Sequence, residues 1–279
     1  MIEISKAVLR DFEIWLNERE MSRATILKYR RDVRVMAEYV GYQIKDKADL
    51  IGFKAFLSER GLAVTSINSM LAAVNCFLKF VGRSDYAVKY LKIQRTTFIN
   101  KNRELPQEEY EKLVKVARKK GKTQLAMLLQ TICITGIRVS ELSAITVESL
   151  QAGQATISSK GKIRTILLPG GLVKALKAYC QEQSITQGSI FVTQNGRALD
   201  RSNIWKMMKR LAQEADVILK KVFPHNLRHL FAQTYYKQFM DIVRLADILG
   251  HSSINTTRIY TMKNGSEQRM QLEAMHLLI

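Results

Sequence analysis

Four short strings of the sequence carry side chains that could act together on a phosphate group. They are TGIRVSEL at 135–142, SSKGKIRTILLP at 158–169, PHNLRHLFA at 224–232 and LGHSSINTTRIYT at 249–261. Arg138 and Arg228 offer planar, permanently charged forks that match phosphate oxygens. His251 can donate a further hydrogen bond, and the hydroxyl of Tyr260 can attack phosphorus once a base has taken its proton. Phosphoryl transfer needs such a set, because its catalysis consists of positioning and of stabilising negative charge.

Taken singly, each string also has an ordinary structural explanation. Arg138 could pair with Glu141 three residues later along a helix. The letters HNLRH could be a polar helix start, and GHSS could be a helix-ending turn followed by a serine cap. Tyr260 is one of ten tyrosines, and a lone tyrosine is usually structural. The functional prediction therefore depends on the four strings occurring together and in this order.

In this order and with these separations, the strings resemble the tyrosine recombinase family of phage integrases, Xer-type recombinases and mobile-element integrases. The string MSRATILKYRRDVRVMAEYV at 21–40 resembles the family's N-terminal DNA-clamping domain, and TQNGRALDRSNIWKMMKR at 193–210 resembles the segment before its HxxR helix. The resemblance covers most of the chain. It implies a site-specific recombinase that cleaves and rejoins DNA through a 3′-phosphotyrosine at Tyr260, with strand exchange via a Holliday junction in a tetramer.

The resemblance also assigns roles to single residues. It makes Tyr260 the nucleophile, His225 the base, and Arg138, Arg228 and His251 the groups that stabilise the transition state. It places the general acid on a lysine of the predicted β-hairpin, which protonates the departing 5′ oxygen.

The identity of the general-acid lysine stays open. Lys160 matches the first lysine of the family's K-G-x-K-x-R string, but this chain is one residue shorter there and reads Lys160-Gly161-Lys162-Ile163-Arg164. We predict Lys160 as the acid, with Lys162 as the alternative.

Two further residues are expected to support this site. Glu141 is expected to hold Arg138 in place. His229 is expected to orient a catalytic group, although a satisfied core histidine is an alternative interpretation. His276 lies outside every motif and is assigned no role.

Composition favours a nucleic-acid partner and gives no sign of a cofactor. The formal net charge is +19, and both halves of the chain are basic, which suits a protein that grips a polyanion. Neither a carboxylate cluster nor a Walker loop occurs, so we expect no metal and no ATP. Cys76, Cys133 and Cys180 form no CxxC pair, which indicates neither zinc nor disulfides. The sequence shows no signal peptide and no long apolar run, so a cytoplasmic, nucleoid-associated protein is expected.

Hydrophobic periodicity predicts a mostly α-helical protein with two domains. Residues 1–91 are predicted to form an N-terminal four-helix, SAM-like domain, with helices near 5–20, 22–40, 47–59 and 64–81. Residues 92–105 are predicted to be a basic linker. Residues 106–279 are predicted to form an α+β catalytic domain with a small antiparallel sheet, a hairpin around Lys160-Gly161.

An amphipathic helix is predicted for the tail, residues 264–279, and the resemblance implies that it docks into a neighbouring subunit. Packing in cis on its own domain is the alternative. Double-stranded DNA with a specific site is the expected substrate. Two other functions stay open: a type IB topoisomerase, which shares this chemistry, and a non-catalytic DNA-binding accessory factor.

Overall fold

The computed structural model of the protein describes residues 1–93, 104–159, 162–260, 269–270 and 273–275, with residues 159 and 162 as backbone only. The chain divides into two compact units, residues 1–95 and 96–279. Most of the expected linker and of the expected tail helix lies outside the described residues, and so does Lys160.

The first unit contains the four predicted helices. They are α1 (Lys6–Glu18), α2 (Arg23–Tyr39), α3 (Lys47–Glu59) and α4 (Val64–Phe80). Helix α2 begins after Ser22, whose side chain accepts a hydrogen bond from the backbone of Thr25 and so caps the helix. A two-residue pair of strands, β1 (Ile2–Glu3) and β2 (Gln43–Ile44), was not expected, since segments this short carry no period.

The core of the first unit follows from apolar side chains at helical spacing. Phe12 and Leu16 of α1 and Phe77 of α4 are fully buried, and the rings of Phe12 and Phe77 meet edge to face with centroids 5.3 Å apart. Each helix therefore turns one apolar stripe towards a common centre, as a helical bundle requires.

The second unit is helical around one small sheet. In chain order it contains α5 (Gln107–Lys119), α6 (Thr123–Thr135), a 3₁₀ segment (Val139–Ala144), α7 (Val147–Ala152), β3 (Gln154–Ser159), β4 (Lys162–Leu167), α8 (Gly170–Glu182), α9 (Arg201–Glu214), a 3₁₀ turn (Leu219–Lys221), α10 (Pro224–Phe239), α11 (Ile242–Leu249), α12 (Ile254–Thr257) and a final 3₁₀ turn (Arg258–Tyr260). The mostly α fold and the antiparallel hairpin were predicted, and both are confirmed.

Helix α6 lies at the centre of the second unit. Almost every side chain from Leu125 to Ile132 is buried, and α5, α8 and α10 pack around the helix. A helix that is apolar on all sides can only be stable when it is surrounded. The end of α6 is thereby fixed where the string that contains Arg138 begins.

No helix in the described part of the chain is long and apolar enough to span a membrane. Within the same residues, no group of three or more His, Cys, Asp or Glu side chains could hold a metal ion. The three cysteines are free.

Candidate active site

Side chains from all four strings meet at one place in the second unit, and the hairpin string contributes Arg164. Arg138 follows the end of α6, Arg228 lies in α10, His251 follows the end of α11, and Tyr260 ends the last 3₁₀ turn. These elements are distant in sequence, and their packing brings the side chains together.

Arg228 is the centre of this cluster. Its side chain is only 2% exposed, and it donates hydrogen bonds to the carbonyl oxygens of Gly136 (2.5 Å) and Leu249 (2.7 Å) and to Nε2 of His251 (2.9 Å). The guanidinium therefore joins the ends of α6 and α11 and the turn after α11. Burial, followed by the positive charge of Arg138, lowers the pKa of Arg228 to about 10, while Tyr260 opposes that fall. The group remains charged at neutral pH.

His251 is held at both ring nitrogens. Its Nδ1 lies 2.9 Å from Oγ1 of Thr257, and its Nε2 lies 2.9 Å from Nη2 of Arg228. Burial lowers the pKa of His251 to about 4, with further lowering by the positive charges of Arg228 and Arg138. At neutral pH the imidazole is therefore uncharged.

Glu141 connects two arginines of the cluster. The carboxylate is buried and accepts hydrogen bonds from Nη1 of Arg138 at 2.9 Å and from Nη2 of Arg164 at 2.5 Å. Burial alone would raise the pKa of Glu141, but the hydrogen bonds from Arg138 and the charge of Arg164 outweigh it and lower that pKa. The expected contact between Glu141 and Arg138 is present in the structure, whereas the second arginine was not anticipated.

Tyr260 is packed against the histidines. Its side chain is 4% exposed, its ring meets that of His229 edge to face at 4.8 Å, and it stacks on the ring of His251 at 6.1 Å. Apolar side chains of α10 and α11, Ala232 and Leu249 among them, complete its surroundings. The predicted nucleophile thus lies beside two of the three motif histidines.

His225 and His229 lie one turn apart at the start of α10. His225 reaches solvent and His229 is half-buried. Desolvation by the surrounding protein, followed by the charge of Arg228, lowers the pKa of His225. Burial also lowers the pKa of His229, although the negative charge of Glu104 acts in the opposite direction. Both imidazoles are therefore neutral near pH 7, the form in which a histidine can accept a proton.

The hairpin reaches this cluster through Arg164 of β4. Besides Glu141, Arg164 donates from Nη1 to the carbonyl of Ile248 at 2.7 Å. For the lysines, the structure describes only the backbone of Lys162, which pairs with Ser159, and Lys160 lies outside the described residues. Which of the two lysines is the general acid therefore stays a prediction.

Sequence reasoning missed two residues that hold the cluster together. Arg164 stands in the hairpin string, so its position there was a usable signal. Thr257 is fully buried and contacts His251, but a threonine on a four-residue helix gives no pattern that would distinguish it from its neighbours.

Comparison with known proteins identifies the family. The model of the phage integrase family matches residues 103–267, more than half of the chain, and that of the phage integrase N-terminal SAM-like domain matches residues 9–84. The chain belongs to the tyrosine recombinases of the phage integrase family. Members of this family are enzymes that cleave and rejoin DNA.

Relatives of this tyrosine recombinase match along nearly the whole chain. It is 30% identical to tyrosine recombinase XerA of Pyrococcus furiosus over 281 residues, which covers 97% of this chain and 94% of XerA. It is 29% identical to tyrosine recombinase XerD of Oceanobacillus iheyensis, with 96% and 97% covered.

Solved structures agree with the recombinase fold. The crystal structure of XerA recombinase is 26% identical, covers 98% of this chain and 99% of that chain, and has a TM-score of 0.54. The post-cleavage complex of XerH site-specific recombinase with palindromic difH substrate is 23% identical, covers 92% and 81%, and has a TM-score of 0.71.

Proposed function

We propose that this recombinase cleaves a specific DNA site by attack of the Tyr260 hydroxyl on a phosphodiester, forming a 3′-phosphotyrosine and a free 5′ hydroxyl. The observation that supports this most directly is the contact of Tyr260 with His229 and His251 beside the buried charge of Arg228. The covalent bond conserves the energy of the broken ester. A 5′ hydroxyl from a second duplex can therefore reverse the step and complete recombination.

The remaining groups share the work of phosphoryl transfer. Arg138 and Arg228 stabilise the negative oxygens, and His251 donates a further hydrogen bond to them. His225, whose lowered pKa keeps it neutral, takes the proton of Tyr260. Glu141 fixes the guanidinium of Arg138 through its buried carboxylate. His229 orients Tyr260 through the edge-to-face contact of their rings.

Covalent trapping on a nicked suicide substrate tests the proposal. Wild-type protein should form a protein–DNA adduct, and Tyr260→Phe should form none. Tyr235→Phe is a matched control, since Tyr235 packs in the same apolar cluster and should be dispensable for attack. An adduct that survives in Tyr260→Phe would refute the assignment, and absence of any adduct on a cognate site would favour a DNA-binding accessory factor.

The general-acid lysine can be identified by a leaving group that needs no proton. Lys160→Ala and Lys162→Ala are compared on ordinary DNA and on DNA with a 5′-bridging phosphorothiolate. We expect the sulfur substrate to restore cleavage by Lys160→Ala. For Lys162→Ala we expect no such rescue: the ratio of its cleavage rate to that of the wild type should be the same on both substrates. Rescue of Lys162→Ala alone would reverse the assignment.

The proposed chemistry uses protein groups only, so cleavage should proceed without metal or nucleotide. Adduct formation should keep its rate in excess EDTA with no ATP. A requirement for added Mg²⁺ in the chemical step would contradict this part of the proposal.

The recombinase is proposed to work as a tetramer on two duplex sites, with residues 264–279 docked on a neighbouring subunit. Deletion of residues 266–279 should weaken tetramer assembly on DNA, seen by native gel or light scattering, and should leave half-site binding by the monomer. Unchanged assembly would exclude docking in trans. A two-site recombination assay run beside supercoil relaxation separates a recombinase from a type IB topoisomerase.

A further inference from the structure

The ring of His251 has a defined tautomer in this structure. A guanidinium can only donate hydrogen bonds, so Nε2 of His251 must accept the bond from Nη2 of Arg228 at 2.9 Å. A neutral imidazole then carries its proton on Nδ1, which donates to Oγ1 of Thr257 at 2.9 Å. The lowered pKa of His251, about 4, is consistent with a neutral ring.

The proposed role of His251 in catalysis requires the opposite arrangement at Nε2. To donate a hydrogen bond to a phosphate oxygen, Nε2 must carry a proton, and a neutral ring must then leave Nδ1 bare. The groups that act on the ring from neighbouring elements are Arg228, Arg138, Arg164 and His225, and all four disfavour a second proton. In the protein without DNA, these charges make a second proton on the ring unfavourable, so a change of tautomer is the route to a donor at Nε2 that adds no charge to the cluster.

Thr257 is suited to this change because a hydroxyl both donates and accepts. It accepts from Nδ1–H in the present arrangement and can donate to a bare Nδ1 in the other. Its side chain is fully buried in the second unit, so bulk water has no direct access to take its place. A carboxylate or an ammonium group at this position could serve only one of the two tautomers.

We propose that Thr257 is a positioning residue for His251, whose ring it holds in both tautomers. Nε2 accepts from Nη2 of Arg228 in this arrangement. When DNA binds, that N–H of Arg228 turns to the scissile phosphate, and Nε2, now protonated, donates to the phosphate as well. The ring of His251 is only half-buried, so solvent that reaches the ring, and not the site of Thr257, takes the proton from Nδ1 and supplies one to Nε2. The hydrogen bond with Thr257 then reverses direction, and the ring stays neutral. The catalytic half of this inference rests on the proposed function.

The same hydrogen bond also ties the nucleophile to the site. Thr257 ends α12, and Tyr260 lies three residues later in the adjoining 3₁₀ turn. The contact of Thr257 with His251 therefore fixes the segment that presents Tyr260 against the turn that follows α11.

The tautomer can be measured without any cleavage. Protein labelled with ¹⁵N in histidine, with the His251 signals assigned by His251→Gln, should show a proton on Nδ1 in the absence of DNA. In Tyr260→Phe bound to a duplex site, which cannot react, the proton should lie on Nε2. A proton on Nε2 in both samples, or on Nδ1 in both, would overturn the inference.

Adduct formation by two matched variants tests the role in catalysis. Thr257→Val keeps the shape and loses the hydroxyl, and we expect its cleavage rate to fall roughly tenfold with little change in half-site affinity. Thr257→Ser keeps the hydroxyl and should cleave near the wild-type rate. Equal rates for Thr257→Val and wild type, or equal losses in both variants, would show that the hydroxyl has no positioning role.

Failure of this inference can be told apart from failure of the proposed function. If wild-type protein forms no adduct that depends on Tyr260, the proposed function fails, while the tautomer measurement without DNA still decides whether Thr257 accepts from His251. If Thr257→Val does not fold, as judged by its urea midpoint, Thr257→Ser and the wild-type spectra decide the outcome.

Discussion

Gly250 offers a direct test of how the site is supported. It ends α11 with a φ of +63°, and a Cβ built on it would lie 2.5 Å from Cδ of Arg164 and 3.0 Å from its Nε. Arg164 is the arginine that reaches Glu141 and the carbonyl of Ile248. We predict that Gly250→Ala displaces Arg164 and disturbs the arginine cluster through it.

The expected cost has two parts, and a control separates them. An alanine in the left-handed region costs about 1–2 kcal/mol, and forcing a methyl group into a packed site costs about 1–3 kcal/mol more. Gly153 ends α7 with a φ of +67°, and a Cβ added there would meet no atom within 4 Å, so Gly153→Ala carries only the first cost. Gly250→Ala should therefore be less stable than Gly153→Ala by about 1–3 kcal/mol.

Urea unfolding followed by Trp205 fluorescence measures this difference. The only other tryptophan, Trp15, lies in the first unit, so a Trp15→Phe background makes the signal specific to the second unit. Adduct formation is measured in parallel and should slow in Gly250→Ala and stay near wild type in Gly153→Ala. Equal stability and equal cleavage by the two variants would refute the reasoning.

Three further predictions follow from the charges of the second unit. Glu141→Gln removes the carboxylate between Arg138 and Arg164 and should lower the free energy of unfolding by about 3 kcal/mol at most, since Arg138 is partly exposed. Because the pKa of Glu141 is lowered on folding, its contribution is present above about pH 4.5, the ordinary carboxyl value, and is lost as pH falls through the folded pKa. Urea titrations of both proteins from pH 3 to 7 should therefore converge at low pH, and a constant gap would contradict this. The motif histidines have lowered pKa values in the folded protein, so below about pH 6.5 the unfolded chain binds more protons than the folded one. The free energy of unfolding should therefore fall from about pH 6.5 towards pH 4, and it should fall less in His251→Gln than in the wild type. Affinity for duplex DNA should drop by about 10³ or more between 50 and 200 mM salt if six or more phosphates are contacted, and a salt-independent constant would exclude the charged interface.

Much of the fold could be predicted from the sequence. The four helices of the first unit follow from apolar residues at helical spacing and from caps such as Ser22, because both act over a few residues. The hairpin is equally local, since two β-rich runs flank one turn. The pair β1 and β2 escaped prediction because it joins two-residue segments some 40 positions apart.

The candidate site could be predicted as a set of residue types but not as a structure. Arg138, Arg228, His251 and Tyr260 stand in recognisable strings, and their chemistry follows from their side chains. Their hydrogen bonds do not, because Arg228 binds the carbonyl oxygens of Gly136 and Leu249, and a backbone acceptor leaves no mark on a sequence.

Sequence by itself therefore determined the family, the helical architecture and the residues able to act on a phosphate. Only the tertiary structure decided that Glu141 serves two arginines, that Tyr260 lies against His229 and His251, and that Thr257 contacts Nδ1 of the His251 ring. The physical reason is the separation in sequence over which each interaction acts. Helical periodicity and capping are set by neighbours within a few positions, whereas the partners of a buried charge are chosen by the packing of helices that are distant in the chain.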